Sequence, residues 1–163
     1  MRRRRGALAA AIGLLVLAVA AVRGRLRRYA IAEQSMLPAL APGDWIVAKQ
    51  VSSVTRRGSI IVFPYPGPGD IEIVKRVVGL PGETVTIANG QVHVDGEILA
   101  EPWADGPTRP DGEWKLGDDQ LFVLSDSRSI STTDSRSFGP IDVSTARWRI
   151  IGRYWPPQAF GRL

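Results

Sequence analysis

Short alternating runs of apolar and polar residues dominate the chain after residue 30. They fall at Asp44–Lys49, Ser59–Phe63, Ile71–Val78, Thr84–Ala88, Gln91–Val94, Leu121–Leu124 and Arg147–Tyr154. A period of two sends successive side chains to opposite faces, so each run predicts a β-strand. Turn chemistry separates the runs: Pro42-Gly43-Asp44, Pro66-Gly67-Pro68-Gly69-Asp70, Pro81-Gly82, Asn89-Gly90 and Asp95-Gly96. Asn89-Gly90 between two alternating runs predicts a hairpin. No long stretch of this region keeps helical spacing, and all 12 Pro lie at or after Pro38. The predicted class is therefore mostly β, an antiparallel domain with Gly/Pro turns. Glu101–Gly117, rich in Pro, Gly and Asp, is expected to be a surface excursion.

The N-terminus has a different pattern. Ala7–Val22 is an unbroken run of 16 apolar or small residues, flanked by Arg2–Arg5 and by Arg23, Arg25, Arg27 and Arg28. A membrane span needs roughly 17–25 residues, and Gly6 with the Arg stems can lengthen this run. Ala18-Val19-Ala20 also has the small-residue spacing of a signal-peptide cleavage site. The Arg cluster that follows disfavours translocation and cleavage there, so a retained transmembrane anchor is expected. The predicted organisation is a basic N-terminal segment and signal-anchor helix over residues 1–28 (core 7–22). A β domain follows over 29–163, with a small inserted region at about 84–120.

Charge changes the picture only once it is divided this way. The chain carries a formal +5, but residues 1–28 hold eight Arg and no acid. The remaining 135 residues carry 13 basic against 16 acidic side chains. A nucleic-acid-binding body would need its positive charge on the folded part, so no nucleic-acid partner is expected. The absence of Cys excludes thiol nucleophiles, disulfides and Cys-ligated zinc. The single His93 excludes a His-rich metal site and leaves little room for a Ser-His-Asp triad. No metal and no cofactor are expected.

Lysine usage points to another base. There are 18 Arg but only three Lys, at 49, 75 and 115. Arginine does not act as a neutral base, whereas a desolvated lysine does. Period two puts Lys75 on one strand face with Ile71, Ile73 and Val77, where burial would disfavour the ammonium. The same pattern also fits a lysine whose stem covers apolar surface while its amine reaches water. Ser35, just before Met36-Leu37-Pro38, reads as a turn residue or as a nucleophile held about a dozen residues from the end of the apolar run. The hydroxyl-rich stretch Ser125–Ser137 lies between Leu121–Leu124 and Phe138-Gly139-Pro140, which predicts an ordered loop able to hold an amine by hydrogen bonds.

In this order the blocks resemble type I signal peptidases, the Ser/Lys-dyad membrane serine peptidases of bacteria. The resemblance is carried by Ser35-Met36-x-Pro38-x-Leu40-x-Pro42-Gly43-Asp44, Arg57-Gly58-Ser59-Ile60-Ile61-Val62-Phe63, Val74-Lys75-Arg76-Val77-Val78-Gly79-Leu80-Pro81-Gly82-Glu83, Asp126-x-Arg128, and Asp134-Ser135-Arg136-x-Phe138-Gly139. It implies Ser35 as acylating nucleophile and Lys75 as general base, with the Ser35 N–H as one oxyanion donor. Asp134 and Arg136 match bracing positions, and Ser131 or Thr132 matches a hydroxyl near the lysine amine. Ile31, Met36, Leu40, Ile73 and Val74 match the lining of a shallow pocket for small residues. Position 33, usually Ser or Gly in that family, is Glu33 here, and its carboxylate must point away from an oxyanion. The implied activity is removal of signal peptides from exported preproteins at the lipid bilayer. The implied location is the plasma membrane, single-pass, with the catalytic domain on the extracytoplasmic side. A dedicated maturation peptidase for one exported protein is the narrower alternative. A membrane-tethered, non-catalytic β binding module is the third.

Overall fold

The computed structural model describes residues 24–52 and 56–161. The expected anchor core, 7–22, lies outside the described residues. Among the described residues, no helix is long and apolar enough to cross a membrane.

Eleven strands follow in chain order: β1 Leu26–Ala30, β2 Trp45–Gln50, β3 Ile60–Pro64, β4 Glu72–Gly79, β5 Thr84–Ala88, β6 Gln91–Val94, β7 Glu97–Ile98, β8 Gly112–Lys115, β9 Gln120–Leu124, β10 Ile141–Asp142 and β11 Trp148–Trp155. One short helix, α1 Ser135–Phe138, lies between β9 and β10. The larger sheet has the order β1-β2-β11-β3-β4-β9-β10, and the smaller one β7-β6-β5-β8. Every strand pairing is antiparallel.

The seven alternating runs each become a strand, displaced by a residue or so at their ends. Asn89 and Gly90 have φ of 53° and 82°, as a tight two-residue turn requires, and Ala88 faces Gln91 across it. The small sheet occupies much of the 84–120 insert. Gly79 marks the passage between the sheets. A Cβ there would come within 2.5 Å of Val85 and 2.9 Å of Phe122, and β4 bulges against β9 at this point.

Three expectations change. Glu101–Gly117 does lie largely at the surface, but it is not irregular throughout: it contains β8, and Thr108 and Leu116 are buried. Leu26–Arg28, at the end of the expected 1–28 segment, belongs to β1 and pairs with Val47–Lys49. Ile71 does not share the buried face of Lys75; it precedes β4 and is 54% exposed.

The core has three parts. Ile31, Met36, Leu40, Ile46, Ala48, Ile60, Val62, Trp148 and Ile150 pack in one cluster, with Tyr29 and Val74 at its border. Ile61, Phe63, Val77, Leu121 and Val123 belong to a second. Val78, Val85, Ile87, Leu116 and Phe122 join the two sheets. β4 is therefore buried on both faces from Lys75 onward.

Candidate active site

The segment after β1 is tied down before it reaches Ser35. Ile31 N–H donates to Asp44 O, and Gly43 N–H donates to Ile31 O, both at 2.8 Å. The Asp44 carboxylate accepts from Ala41 N–H at 2.9 Å and from Arg153 Nη1 at 2.6 Å. Met36 and Leu40 are buried, so the turn 34–40 is anchored by its apolar side chains while Ser35 stays half-exposed. On the far side, Ser127 N–H donates to Ser35 O at 3.1 Å.

Lys75 comes from the middle of β4, opposite Ile61 of β3. β9 pairs with β4 only from Arg76 onward, so the edge of Glu72–Lys75 on that side has no strand partner. The Lys75 side chain is 3% exposed, and its Nζ lies 2.9 Å from Ser35 Oγ. Burial lowers the Lys75 pKa to about 8; Asp134, Asp126 and Glu33 pull it back up, while Arg136 pushes it down. Deprotonated, the amine can accept the hydroxyl proton through the contact it now donates.

The loop after β9 is held by three buried ion pairs. Arg76 meets Asp126 with two hydrogen bonds, at 2.7 and 2.5 Å, and also donates to Gly58 O at 2.8 Å. Arg128 spans Ser125 O at 2.6 Å, Thr108 Oγ1 at 2.5 Å and Glu101 at 2.5 Å. Arg136 grips both oxygens of Asp134, at 2.8 and 2.7 Å, and reaches Arg109 O, Arg128 O and Ser131 O. Burial pushes the Asp134 carboxyl up, but Arg136 and the N–H groups of Ser125 and Arg136 outweigh it and hold its pKa below the ordinary value.

The site residues read from the sequence divide. Ser35 and Lys75 meet. Asp134 and Arg136 pair with each other and reach Lys75 through charge. Neither Ser131 nor Thr132 hydrogen-bonds the amine: Ser131 Oγ lies 3.3 Å from Ser125 Oγ, and Thr132 is exposed. Ile31, Met36, Ile73 and Val74 line a slot of about 150 Å³ that runs to Ser35 and Lys75. Leu40 does not; it is wholly buried beneath the turn. Glu33 is exposed on the slot wall. Arg76, Asp126 and Glu101 are not among the site residues that the sequence points to. Arg76 and Asp126 are 50 positions apart, and only their places inside the resembling blocks hinted at a shared role. Among the described residues, no group of three or more His, Asp or Glu could hold a metal ion.

A buried lysine amine thus lies against a serine hydroxyl beside a strand with one open edge. Residues 4–155 match the family described as signal peptidase, peptidase S26. Signal peptidase I of Leptolyngbya laminosa is 35% identical over 167 residues, covering 93% of this chain and 80% of its own. Signal peptidase I of Bacillus caldolyticus is 31% identical, covering 81% of each chain. A crystal structure of a signal peptidase I from Enterococcus faecalis overlaps 56% of this chain and 92% of its own, with a TM-score of 0.49 and 28% identity. The chain belongs to the S26 signal peptidase family and is a serine endopeptidase of the signal peptidase I type.

Proposed function

We propose that this chain removes signal peptides from exported preproteins, with Ser35 as nucleophile and Lys75 as general base. The observation that carries the assignment is the 2.9 Å contact between Lys75 Nζ and Ser35 Oγ inside a desolvated site. Neutral Lys75 takes the Ser35 proton as Oγ attacks the scissile carbonyl. The resulting lysine ammonium gives that proton to the leaving amine. Water then attacks the acyl-enzyme with Lys75 again as base, and Ser35 is regenerated. The Ser35 N–H is free of any other hydrogen bond among those described and is the proposed oxyanion donor.

Substrate binding follows from the open edge of β4. An extended peptide adds along Glu72–Lys75, hydrogen-bonding through its main chain, and its side chains enter the adjoining slot. About 150 Å³ bounded by Ile31, Met36, Ile73 and Val74 favours Ala or Gly before the cut. Asp134 and Arg136 brace the loop beside the amine. Residues 1–23, with the apolar core 7–22, are proposed as the membrane anchor. It would hold the catalytic domain, with its 84–120 insert, on the extracytoplasmic side of the plasma membrane in a single-pass arrangement.

The deciding experiment is cleavage of a preprotein by the purified full chain in detergent. Wild type is expected to release the signal peptide, while Ser35→Ala and Lys75→Arg are expected to leave it intact, because a guanidinium does not accept the proton. Full activity of either variant would overturn the dyad.

A further inference from the structure

The larger sheet splits where β11 leaves β3. These strands pair at only two positions, Trp148 with Val62 and Arg149 with Ile61. Beyond them, Gly58–Ile60 and Ile150–Ile151 line an open cleft of about 650 Å³ together with Lys49, Arg56, Arg57, Trp103 and Arg149. Four of these side chains are cationic, and no carboxylate lines the space. Arg57 is occupied, bonded to Glu83 at 2.6 Å and to Val78 O. Lys49 and Arg56 are exposed and form no ion pair among the described residues. Arg149 Nε and Trp103 Nε1 are sealed from water with no acceptor. The exposed Lys49 and Arg56, with Arg149 on the same wall and no carboxylate among the lining residues, form a basic cleft suited to an oxyanion, and a guanidinium suits phosphate in particular.

The position of the cleft indicates which phosphate. Lys49 stands opposite both Arg149 and Leu26, the first residue of β1. Leu26 comes four positions after Val22, where the apolar run ends, at most about 14 Å of extended chain. Leu26 and Ile151, exposed by 37% and 36%, add apolar surface near the cations, a mixture suited to the headgroup zone of a bilayer. A nucleic acid is disfavoured by the acidic balance of residues 29–163.

We propose that this cleft binds the phosphate ester of an acidic phospholipid headgroup. The phosphate chemistry rests on the cleft alone; only the lipid source rests on reading 7–22 as an anchor. The test is calorimetric titration of the full chain carrying Ser35→Ala in an uncharged detergent. The probes are dihexanoyl phosphatidylglycerol below its micelle concentration, dihexanoyl phosphatidylcholine and inorganic phosphate. Saturable phosphatidylglycerol binding is expected, stronger than that of either other probe and weakened by salt. Lys49→Gln with Arg56→Gln, both exposed positions, should weaken it by roughly tenfold or more with melting temperature unchanged. No saturable binding, or equal binding by the double variant, would overturn the site. Inorganic phosphate binding as tightly as the lipid would overturn the headgroup assignment in favour of a soluble phosphate. No peptide bond is cut in this measurement, so its failure is distinct from failure of the proposed cleavage.

Discussion

The cost and the use of Lys75 have one origin. Burial lowers its pKa from an unfolded value near 10.5 to about 8. Protonated lysine is thus held at a loss in the folded state, by roughly 3 kcal/mol below pH 8. The unfolded chain binds more protons between about 8 and 10.5, so stability rises with pH across that window. Lys75→Met is expected to stabilise the protein at pH 6 and to flatten this rise, as urea unfolding at several pH values would report. On the proposed chemistry, cleavage climbs with pH through about 8. Glu33 is one of the charges holding the amine up. Glu33→Gln should therefore move the rising limb of the pH–rate profile to lower pH; a limb that stays put or moves up would exclude that electrostatic role.

At the scale of elements, the loop after β9 depends on charges brought in from distant strands. Asp126→Ala leaves the Arg76 guanidinium buried without its carboxylate, and a loss of about 3–5 kcal/mol is expected in denaturant unfolding. Arg76→Met combined with Asp126→Leu should recover much of it, because the uncompensated charge is gone. Such pairings are not legible in a sequence, since nothing local marks Arg76 for a partner 50 residues away. Strands with one face on the core were legible, because burial enforces alternation at β2, β5, β6 and β11, whereas β3, buried on both faces, shows as the unbroken apolar run Ile60–Phe63. β1 was hidden for the opposite reason. As an edge strand with four of its five residues exposed, Leu-Arg-Arg-Tyr-Ala has no buried face to pattern, and its arginines resemble the flank of a membrane segment. β8 was masked by its surroundings. Only Trp114 supplies a large apolar side chain there, among Gly112, Glu113 and Lys115, and its ring packs against Phe122 with centroids 4.8 Å apart. The meeting of Ser35 with Lys75 was readable only through the ordered blocks of the resemblance. Leu40, in the same block, went to the core because the turn needs an apolar peg beneath it.

Across the whole molecule, the two ends of β1 have different tasks. Its first residue adjoins the basic cleft, and its last leads within five positions to Ser35. If residues 1–23 anchor the chain, the full protein will remain in membranes washed with alkaline carbonate, and a chain beginning at residue 24 will not. The shorter chain should still cleave a soluble peptide, since Ser35, Lys75 and the slot lie wholly beyond residue 24. The unpaired edge of β4 carries a further consequence. With the groove empty and the amine near pKa 8, only about one molecule in ten is competent at pH 7. On the proposed binding mode, a peptide laid along Glu72–Lys75 would displace the remaining solvent and tilt that balance toward the free base. On the proposed mechanism the incoming chain would thus favour the free base that activates Ser35, and the empty enzyme would stay largely inert toward its neighbours.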